Sequence, residues 1–148
     1  MKSYLERMRA QGQPSPRVPA RHILLSSLGG FAGILAIERM GFFLGMTGFS
    51  MLFLIGSFGA SAVLVYGVPQ AEFSQPRNLI GGHVFSALVG VFVCQFVGDQ
   101  NYWSYPMAVA FAIWVMQMTR TVHPPGGATA LIALIGGKEI VDLGYYYV

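Results

Sequence analysis

Four long stretches of the sequence contain no Lys, Arg, Asp or Glu. They cover residues 40–71, 78–98, 100–119 and 121–137. A helix needs about 20 consecutive, mainly apolar residues to cross the hydrocarbon core of a bilayer. The first three stretches meet that length, and residues 23–37 approach it if the flanking side chains extend to the headgroups. The pattern predicts an integral membrane protein and excludes a soluble globular domain.

The overall composition points the same way. Charged residues make up 10% of the chain, against about 25% in an ordinary soluble domain, and the mean hydropathy is +0.56. The 148 residues predict a single membrane domain. Cys94 is the only cysteine, which excludes an intrachain disulfide.

Basic residues are concentrated ahead of the first apolar stretch. The formal net charge is +3, and such clustering is an orientation signal, because Lys and Arg beside membrane helices stay on the cytoplasmic side. We therefore expect residues 1–21 to form a basic cytoplasmic segment of a multi-pass protein of the inner (plasma) membrane, with no nucleic-acid partner. The basic residues concerned are Lys2, Arg7, Arg9, Arg17 and Arg21.

The apolar stretches predict an all-α membrane fold with four transmembrane helices and one short half-helix. The second helix contains a cluster of small residues from Gly56 to Ser61, which either packs closely against a neighbour or breaks the helix. The predicted spans are residues 22–37, 47–67, 78–97 and 105–119, and the half-helix is residues 125–135.

The half-helix is predicted from a break in the chain. Pro124 and Pro125 follow Arg120 and His123, and proline lacks the backbone N–H that would continue a helix. Proline is, however, well suited to the first turn of a new helix. The helix that begins at Pro125 is too short to cross a bilayer alone, so it is either a re-entrant half-helix or the start of a further span.

Two segments of similar sequence suggest an internal repeat. Residues 59–64, Gly-Ala-Ser-Ala-Val-Leu, resemble residues 127–132, Gly-Ala-Thr-Ala-Leu-Ile. Paired interrupted segments in corresponding halves of a chain are a sequence signature of a transport site. The alternative is chance similarity between two helices rich in Gly and Ala.

Three blocks of the sequence resemble those of the HPP family of integral membrane proteins. They are Arg-Thr-Val-His-Pro-Pro-Gly-Gly-Ala-Thr-Ala at residues 120–130, Gly-Ser-Phe-Gly-Ala-Ser-Ala at residues 56–62, and Gln-Pro-Arg-Asn-Leu-Ile-Gly-Gly-His at residues 75–83. The resemblance implies an HPP-type transmembrane domain over residues 22–148, in a family with members assigned to nitrite transport. The resemblance implies a further apolar helix, whereas the sequence given stops at Gly144-Tyr145-Tyr146-Tyr147-Val148.

The candidate substrate site combines cations, helix starts and hydroxyl groups. Unsatisfied backbone N–H groups at a helix N-terminus attract anions, and Gly residues let an ion approach the backbone. We expect the two small-residue breaks to face each other across this site, and an imidazole there could couple anion entry to protonation. The substrate-binding candidates are Arg77, His83, Arg120, His123, Gly126, Gly127, Thr129, Ser57 and Ser61, with Pro124 and Pro125 forming the break.

Each candidate also has a structural interpretation. Arg77 and Arg120 would then only anchor helix ends among the headgroups, His83 and His123 would cap helices or bond nearby carbonyls, and the glycines would serve close helix packing. An Arg at the centre of a bilayer costs about 2.5–3.5 kcal/mol or more, so its presence there would need a compensating role.

These observations favour a transporter of a small inorganic anion, and the family resemblance favours nitrite. The chain is expected not to be an enzyme and to need no cofactor or metal, because two histidines without a nearby Cys or carboxylate form a poor zinc site. The alternatives are a structural or regulatory membrane subunit and an intramembrane metal-dependent enzyme. Because four or five helices enclose little interior, we expect a homo-oligomer in the lipid bilayer, most simply a dimer.

Overall fold

The computed structural model describes residues 17–43, 45, 48–99 and 101–148, and most of the predicted basic segment lies outside these residues. All regular secondary structure in the described part is helical. A π-helical turn, Val63–Gly67, follows α2 directly, and 3-10 turns occupy Glu72–Ser74 and Gly144–Tyr147. The helices are α1 (Ala20–Phe43), α2 (Gly48–Ala62), α3 (Pro76–Val97), α4 (Ser104–Met118), α5 (Pro125–Ile135) and α6 (Lys138–Val141).

The number of full-length spans differs from the prediction. Among the described helices, only α1 and α3 are both long and apolar enough to cross a membrane, not four. α4 has 15 residues, which corresponds to about 22 Å of helix, less than the roughly 30 Å of a hydrocarbon core. The charge-free stretch at residues 100–119 is long enough to span, but the helix predicted within it, residues 105–119, is as short as the observed one. Residues 101–103 precede the helix in a turn, in which the Trp103 N–H donates to Asn101 Oδ1 over 3.1 Å.

The end of α1 differs from the prediction, and the small-residue cluster of α2 follows one of its two predicted alternatives. α1 continues to Phe43, past the predicted end at residue 37, because Glu38 and Arg39 are both good helix formers and end only the charge-free stretch. α2 runs without interruption through Gly56 and Ser61. The small-residue cluster therefore does not break the helix, and the irregular backbone begins only at Val63. The half-helix from Pro125 to Ile135 has its predicted bounds.

α3 and α5 run parallel and pack closely along a row of small residues. Gly82, Ser86 and Gly90 recur every four residues on α3 and are all buried. A Cβ atom added to Gly90 would lie 2.5 Å from the Ala130 carbonyl oxygen and 2.8 Å from Ala133 Cβ. Small residues at this spacing let helix backbones approach each other inside a membrane. The row therefore fixes α5, and the break that precedes it, against α3.

Two glycines of α1 lie against an aromatic side chain and not against another helix. A Cβ atom added to Gly29 would lie 2.6 Å from Cδ1 of Tyr66, and one added to Gly33 would lie 2.9 Å from the Tyr66 hydroxyl oxygen. Gly29 and Gly33 thus accommodate an aromatic ring from the π-helical turn. Large apolar side chains elsewhere on α1, such as Phe31 and Leu24, are exposed, as expected for a surface that faces lipid.

The C-terminal residues fold back onto the helices. The chain turns at Gly137, with a φ of 84°, and the 3-10 turn returns to α3 and α5. The hydroxyl group of Tyr147 donates a hydrogen bond of 2.9 Å to the Thr129 carbonyl oxygen. The segment after α5 is therefore part of the packed structure, although it contains no further long apolar helix among the described residues.

Replacing Gly90 with Ala should destabilise the protein. The new methyl group would meet the backbone of α5, which cannot move aside as a flexible side chain can, and overpacking of this kind costs about 1–3 kcal/mol. Gly127→Ala on α5 is the matched control, because its Cβ would meet no atom within 4 Å and Ala favours a helix over Gly. Thermal unfolding in detergent should show a lower Tm for Gly90→Ala only, and equal Tm values would contradict the close α3–α5 packing.

Candidate functional site

Five polar side chains from four parts of the chain meet inside the helical bundle. α2 contributes Ser57 and Ser61, α3 contributes His83, the break contributes His123 and α5 contributes Thr129. We call this group the histidine–hydroxyl cluster. His123 has 0% of its surface exposed, and His83 is partly buried. All five residues belong to the substrate-binding set predicted from the sequence.

The Ser61 hydroxyl bridges the two imidazole rings. Its oxygen lies 2.8 Å from His83 Nε2 and 2.9 Å from His123 Nε2. The ring centroids are 5.0 Å apart in an edge-on arrangement, so the two rings are coupled through one hydroxyl group. Ser61 holds this position because it lies one helical turn after Ser57 on α2, and both side chains are buried.

The other ring nitrogen of His83 connects to a second pair of hydroxyl groups. His83 Nδ1 lies 2.7 Å from Thr129 Oγ1, which lies 2.9 Å from Ser57 Oγ. Ser57 Oγ also lies 3.0 Å from the carbonyl oxygen of Pro125 and can donate to it. Both nitrogens of His83 therefore have partners, and the cluster links α2, α3 and α5.

The loop between the π-helical turn and α3 closes the other end of the cluster. His123 Nδ1 donates a hydrogen bond of 2.7 Å to the backbone carbonyl oxygen of Phe73. The buried Ser74 hydroxyl lies 2.8 Å from the carbonyl oxygens of Leu64 and Val68, which fixes the loop to the end of α2. Phe73 could not be identified from its residue type, because its contribution is a backbone carbonyl group.

Side chains at the start of α3 hold the broken segment in place. Asn78 Nδ2 donates to the Val122 carbonyl oxygen over 2.9 Å, and Arg77 Nη2 donates to the Thr119 carbonyl oxygen over 2.9 Å. The break has no helical partners for these carbonyl groups, so the bonds replace those that a continuous helix would make. Sequence reasoning missed Asn78, although a buried amide in an apolar helix is a recognisable signal.

The break lacks the free backbone donors that the sequence led us to expect. The Gly126 N–H donates to the His123 carbonyl oxygen over 2.8 Å, and the Gly127 N–H donates to the Pro124 carbonyl oxygen over 3.1 Å. Pro124 and Pro125 have no N–H to offer. In this arrangement the amide groups at the start of α5 are occupied and do not form an open anion-binding site.

The remaining predicted residues lie outside the cluster. Arg77 and Arg120 are exposed. His83, which does belong to the cluster, lies two turns inside α3 and not beside its start as predicted. Gly126 is buried against Ser86 and the Gly82 carbonyl oxygen, whereas Gly127 has open space at its Cβ position. Gly126 is thus needed for packing.

Arg120 ends α4 in a conformation that normally favours glycine. Its φ is 56°, and the Thr121 N–H donates to the Met116 carbonyl oxygen over 2.8 Å, which is the bond pattern of a helix C-terminus with a left-handed residue. A side chain in this conformation costs roughly 1 kcal/mol. Arg120 therefore occupies its position against a local backbone preference.

His83 separates two cavities. A cavity of about 100 Å³ lies between Ser57, His83, Thr129 and Tyr147. A larger one, of about 400 Å³, lies between α1 and α3, and its lining is apolar except for Ser61, His83 and Tyr66. Within the described part of the chain, no three His, Cys, Asp or Glu residues lie close enough together to hold a metal ion.

Comparison with known proteins gives a family match and two relatives. The chain matches the family described as "HPP, transmembrane region" over residues 15–148. A transmembrane protein of Dictyostelium discoideum is 38% identical over 141 residues, which is 93% of this chain and 45% of the relative. A second is 41% identical over 124 residues, or 82% of this chain and 43% of the relative. The chain thus spans less than half the length of these curated relatives, and no solved structure matches it.

Replacing Ser86 with Ala should stabilise the protein, whereas replacing Ser57 with Ala should destabilise it. Ser86 Oγ is buried between α3 and α5 without a hydrogen-bond partner, and such a group costs about 1–3 kcal/mol. Ser57→Ala removes a buried hydroxyl group that contacts Thr129 Oγ1 and the Pro125 carbonyl oxygen and can donate its one hydrogen to either. Tm measurements of both variants in detergent should move in opposite directions, and a loss of stability in Ser86→Ala would indicate that its hydroxyl group is hydrogen-bonded.

Proposed function

The chain belongs to the HPP transmembrane family, and from this premise we propose that it carries a small inorganic anion across a membrane, with nitrite as the favoured substrate. The observation that supports this most directly is the histidine–hydroxyl cluster. Polar side chains within membrane helices are costly and commonly mark a substrate or ion pathway. In this chain five of them converge on one place, beside a cavity that three of them, Ser57, His83 and Thr129, line.

The small cavity suits an ion of a few atoms. Its volume of about 100 Å³ compares with about 30 Å³ for a water molecule in the liquid. Ser57, His83, Thr129 and Tyr147 line it together with four apolar residues. An ion there would meet hydroxyl and imidazole groups and no carboxylate side chain. We place the substrate in this cavity and assign its contacts to Ser57, His83 and Thr129, with Ser61 and His123 behind them.

Charge at the two ends of the molecule supports an attraction of anions to one face. Where α1 and α3 begin and α4 ends, the described residues include Arg17, Arg21, Arg77 and Arg120 against a single carboxylate, Glu72. The opposite end has a surplus of carboxylates, with Glu38, Asp99, Glu139 and Asp142 against Arg39 and Lys138. By the positive-inside rule, we propose that the basic end is cytoplasmic, in the inner (plasma) membrane.

A second copy of the chain would complete the transport path. The larger cavity beside His83 is bounded on one side by α1, and the apolar residues on the outer surface of α1 are exposed. Helices of this kind are covered in a membrane either by lipid or by another helix. We propose a homodimer as the transporting unit, as expected from the small number of helices.

Replacing His123 with Asn should abolish most of the anion flux. The substitution removes the ring that bonds both Ser61 and the loop at Phe73. We expect nitrite uptake into proteoliposomes to fall at least tenfold. His22→Asn is the matched control, because His22 is an exposed histidine on α1, and its flux should equal that of the unsubstituted protein.

The same assay tests the proposed function itself. Nitrite, nitrate, formate and chloride should be compared in vesicles of identical lipid composition. If the protein retains its Tm and transports none of these ions, the result would contradict an anion transporter and favour a structural or regulatory subunit. Flux that persists unchanged in His123→Asn would show that the pathway lies elsewhere in the chain.

Arg120→Gly should separate stability from transport. Glycine removes the strain of the left-handed conformation and should raise the stability by about 1 kcal/mol. Loss of the charge should lower nitrite flux several-fold at low ionic strength and little at high salt, because exposed charges are screened. Arg120→Lys keeps the charge and serves as the control. A lower Tm with unaffected flux would instead indicate that Arg120 only anchors the helix end in the headgroups.

A further inference from the structure

The Phe73 carbonyl oxygen determines which nitrogen of each imidazole ring in the cluster carries the hydrogen. A carbonyl oxygen only accepts, so His123 must carry its hydrogen on Nδ1, 2.7 Å away. In the neutral ring Nε2 is then an acceptor. The only hydrogen available to the Ser61 contact at 2.9 Å is that of the Ser61 hydroxyl. Ser61 therefore donates to His123.

The hydrogen positions on His83 and Thr129 follow from that of Ser61. Because the single hydrogen of Ser61 is used, His83 must donate from Nε2 across the 2.8 Å contact. His83 Nδ1 is then an acceptor for the Thr129 hydroxyl at 2.7 Å, and Thr129 Oγ1 accepts from Ser57 at 2.9 Å. The neutral cluster thus has one arrangement that forms all of these bonds, and in it the two histidines are opposite tautomers.

We propose that His83 and His123 share one excess proton through the Ser61 hydroxyl, and that this proton is the co-substrate of the anion. The coupling to an anion rests on the proposed function, whereas the proton sharing rests only on the cluster. Ser61 is a positioning and relay residue, and the Phe73 carbonyl group sets the direction of the relay.

The transfer step conserves every proton. With the excess proton on His83, its Nδ1–H donates to Thr129 Oγ1, and the Thr129 hydroxyl turns to the Pro125 carbonyl oxygen, 3.4 Å away. His83 Nε2 then gives its hydrogen to Ser61 Oγ while the Ser61 hydrogen passes to His123 Nε2. His83 becomes neutral with its hydrogen on Nδ1, and His123 becomes the imidazolium ion. One positive charge has moved between rings whose centroids are 5.0 Å apart.

Both protonated states keep the cluster fully hydrogen-bonded. After the transfer, His123 donates from Nδ1 to Phe73 and from Nε2 to Ser61, Ser61 donates to His83 Nε2, and His83 donates to Thr129. No donor or acceptor loses its partner, so neither state suffers the cost of an unsatisfied polar group in an apolar interior. Two such states linked by short contacts are what a proton relay requires.

Among the described residues, no charged side chain lines the small cavity beside His83. From the C-terminal turn, Tyr147 and Val148 line the small cavity beside His83. Glu72, Arg77 and Arg120, on the neighbouring loop, helix and break, have exposed side chains. The excess proton would therefore be the main positive charge at the cavity, and an anion that entered with it would form a neutral pair.

Nitrogen-15 NMR of histidine-labelled protein in lipid bilayers tests the arrangement directly. The chain has three histidines, and His22→Asn leaves the two of interest. At neutral pH we expect His83 to be protonated on Nε2 and His123 on Nδ1. On acidification both rings should change together over one midpoint, with one proton taken up by the pair. The same tautomer for both rings would overturn the proposal.

Ser61 variants test the bridging role. Ser61→Thr keeps the hydroxyl group and should preserve the joint titration, whereas Ser61→Ala should separate the midpoints of the two rings. Ser27→Ala is the matched control, because that serine bonds only the backbone of α1. A joint titration that survives in Ser61→Ala would exclude the relay. If Ser61→Ala does not fold, the tautomers of the unsubstituted protein still decide the question.

Transport measurements separate this inference from the proposed function. A pH gradient should drive nitrite accumulation, and Ser61→Ala should lower the ratio of gradient-driven accumulation to nitrite counterflow at least tenfold. A nitrite flux that does not depend on the pH gradient would support the proposed transporter but would overturn proton coupling. Absence of any flux would contradict the proposed function, while the NMR result would still establish or exclude the proton-sharing pair.

Discussion

The whole arrangement depends on the close approach of α3 and α5. Gly82, Ser86 and Gly90 present a row without bulky side chains, so α5 packs directly on α3 and His123 comes to lie over Gly82. If these residues were larger, the broken segment would move outward, and the imidazole groups of His83 and His123 would no longer share the Ser61 hydroxyl. Helix packing thus comes first, and the polar cluster is its consequence.

The break between α4 and α5 leaves backbone carbonyl groups without helical partners. Such groups need hydrogen bonds from elsewhere in the protein or from water. Here the Thr119 and Val122 carbonyl groups receive bonds from Arg77 and Asn78, and the first amides of α5 bond to carbonyl groups of the break itself. α3 therefore stabilises the interruption with side chains from its first turn, which ties the break to the loop that precedes α3.

Much of the fold could be predicted from the apolar stretches and the prolines, since these determine where helices form and where they end. The half-helix from Pro125 to Ile135 and the grouping of Ser57, Ser61, His83, His123 and Thr129 follow from such signals, because each residue is polar in an apolar segment. The number of full spans was wrong, because the length of a charge-free stretch was taken as the length of a helix, whereas the helix at Ser104–Met118 has only 15 residues. The role of Phe73 could not be predicted from the sequence, since any residue at that position would supply a backbone carbonyl group.

The expected anion site and the observed cluster differ in charge. The sequence suggested permanent cations and free amides, yet Arg77 and Arg120 are exposed and the amides of Gly126 and Gly127 are occupied. A neutral cluster in an apolar interior stabilises an anion weakly, because the desolvation of the ion is not offset by an opposite charge. A proton taken up by the histidine pair supplies that charge only while the ion is present. Binding and release can then alternate, which a permanently charged pocket at the same depth would oppose.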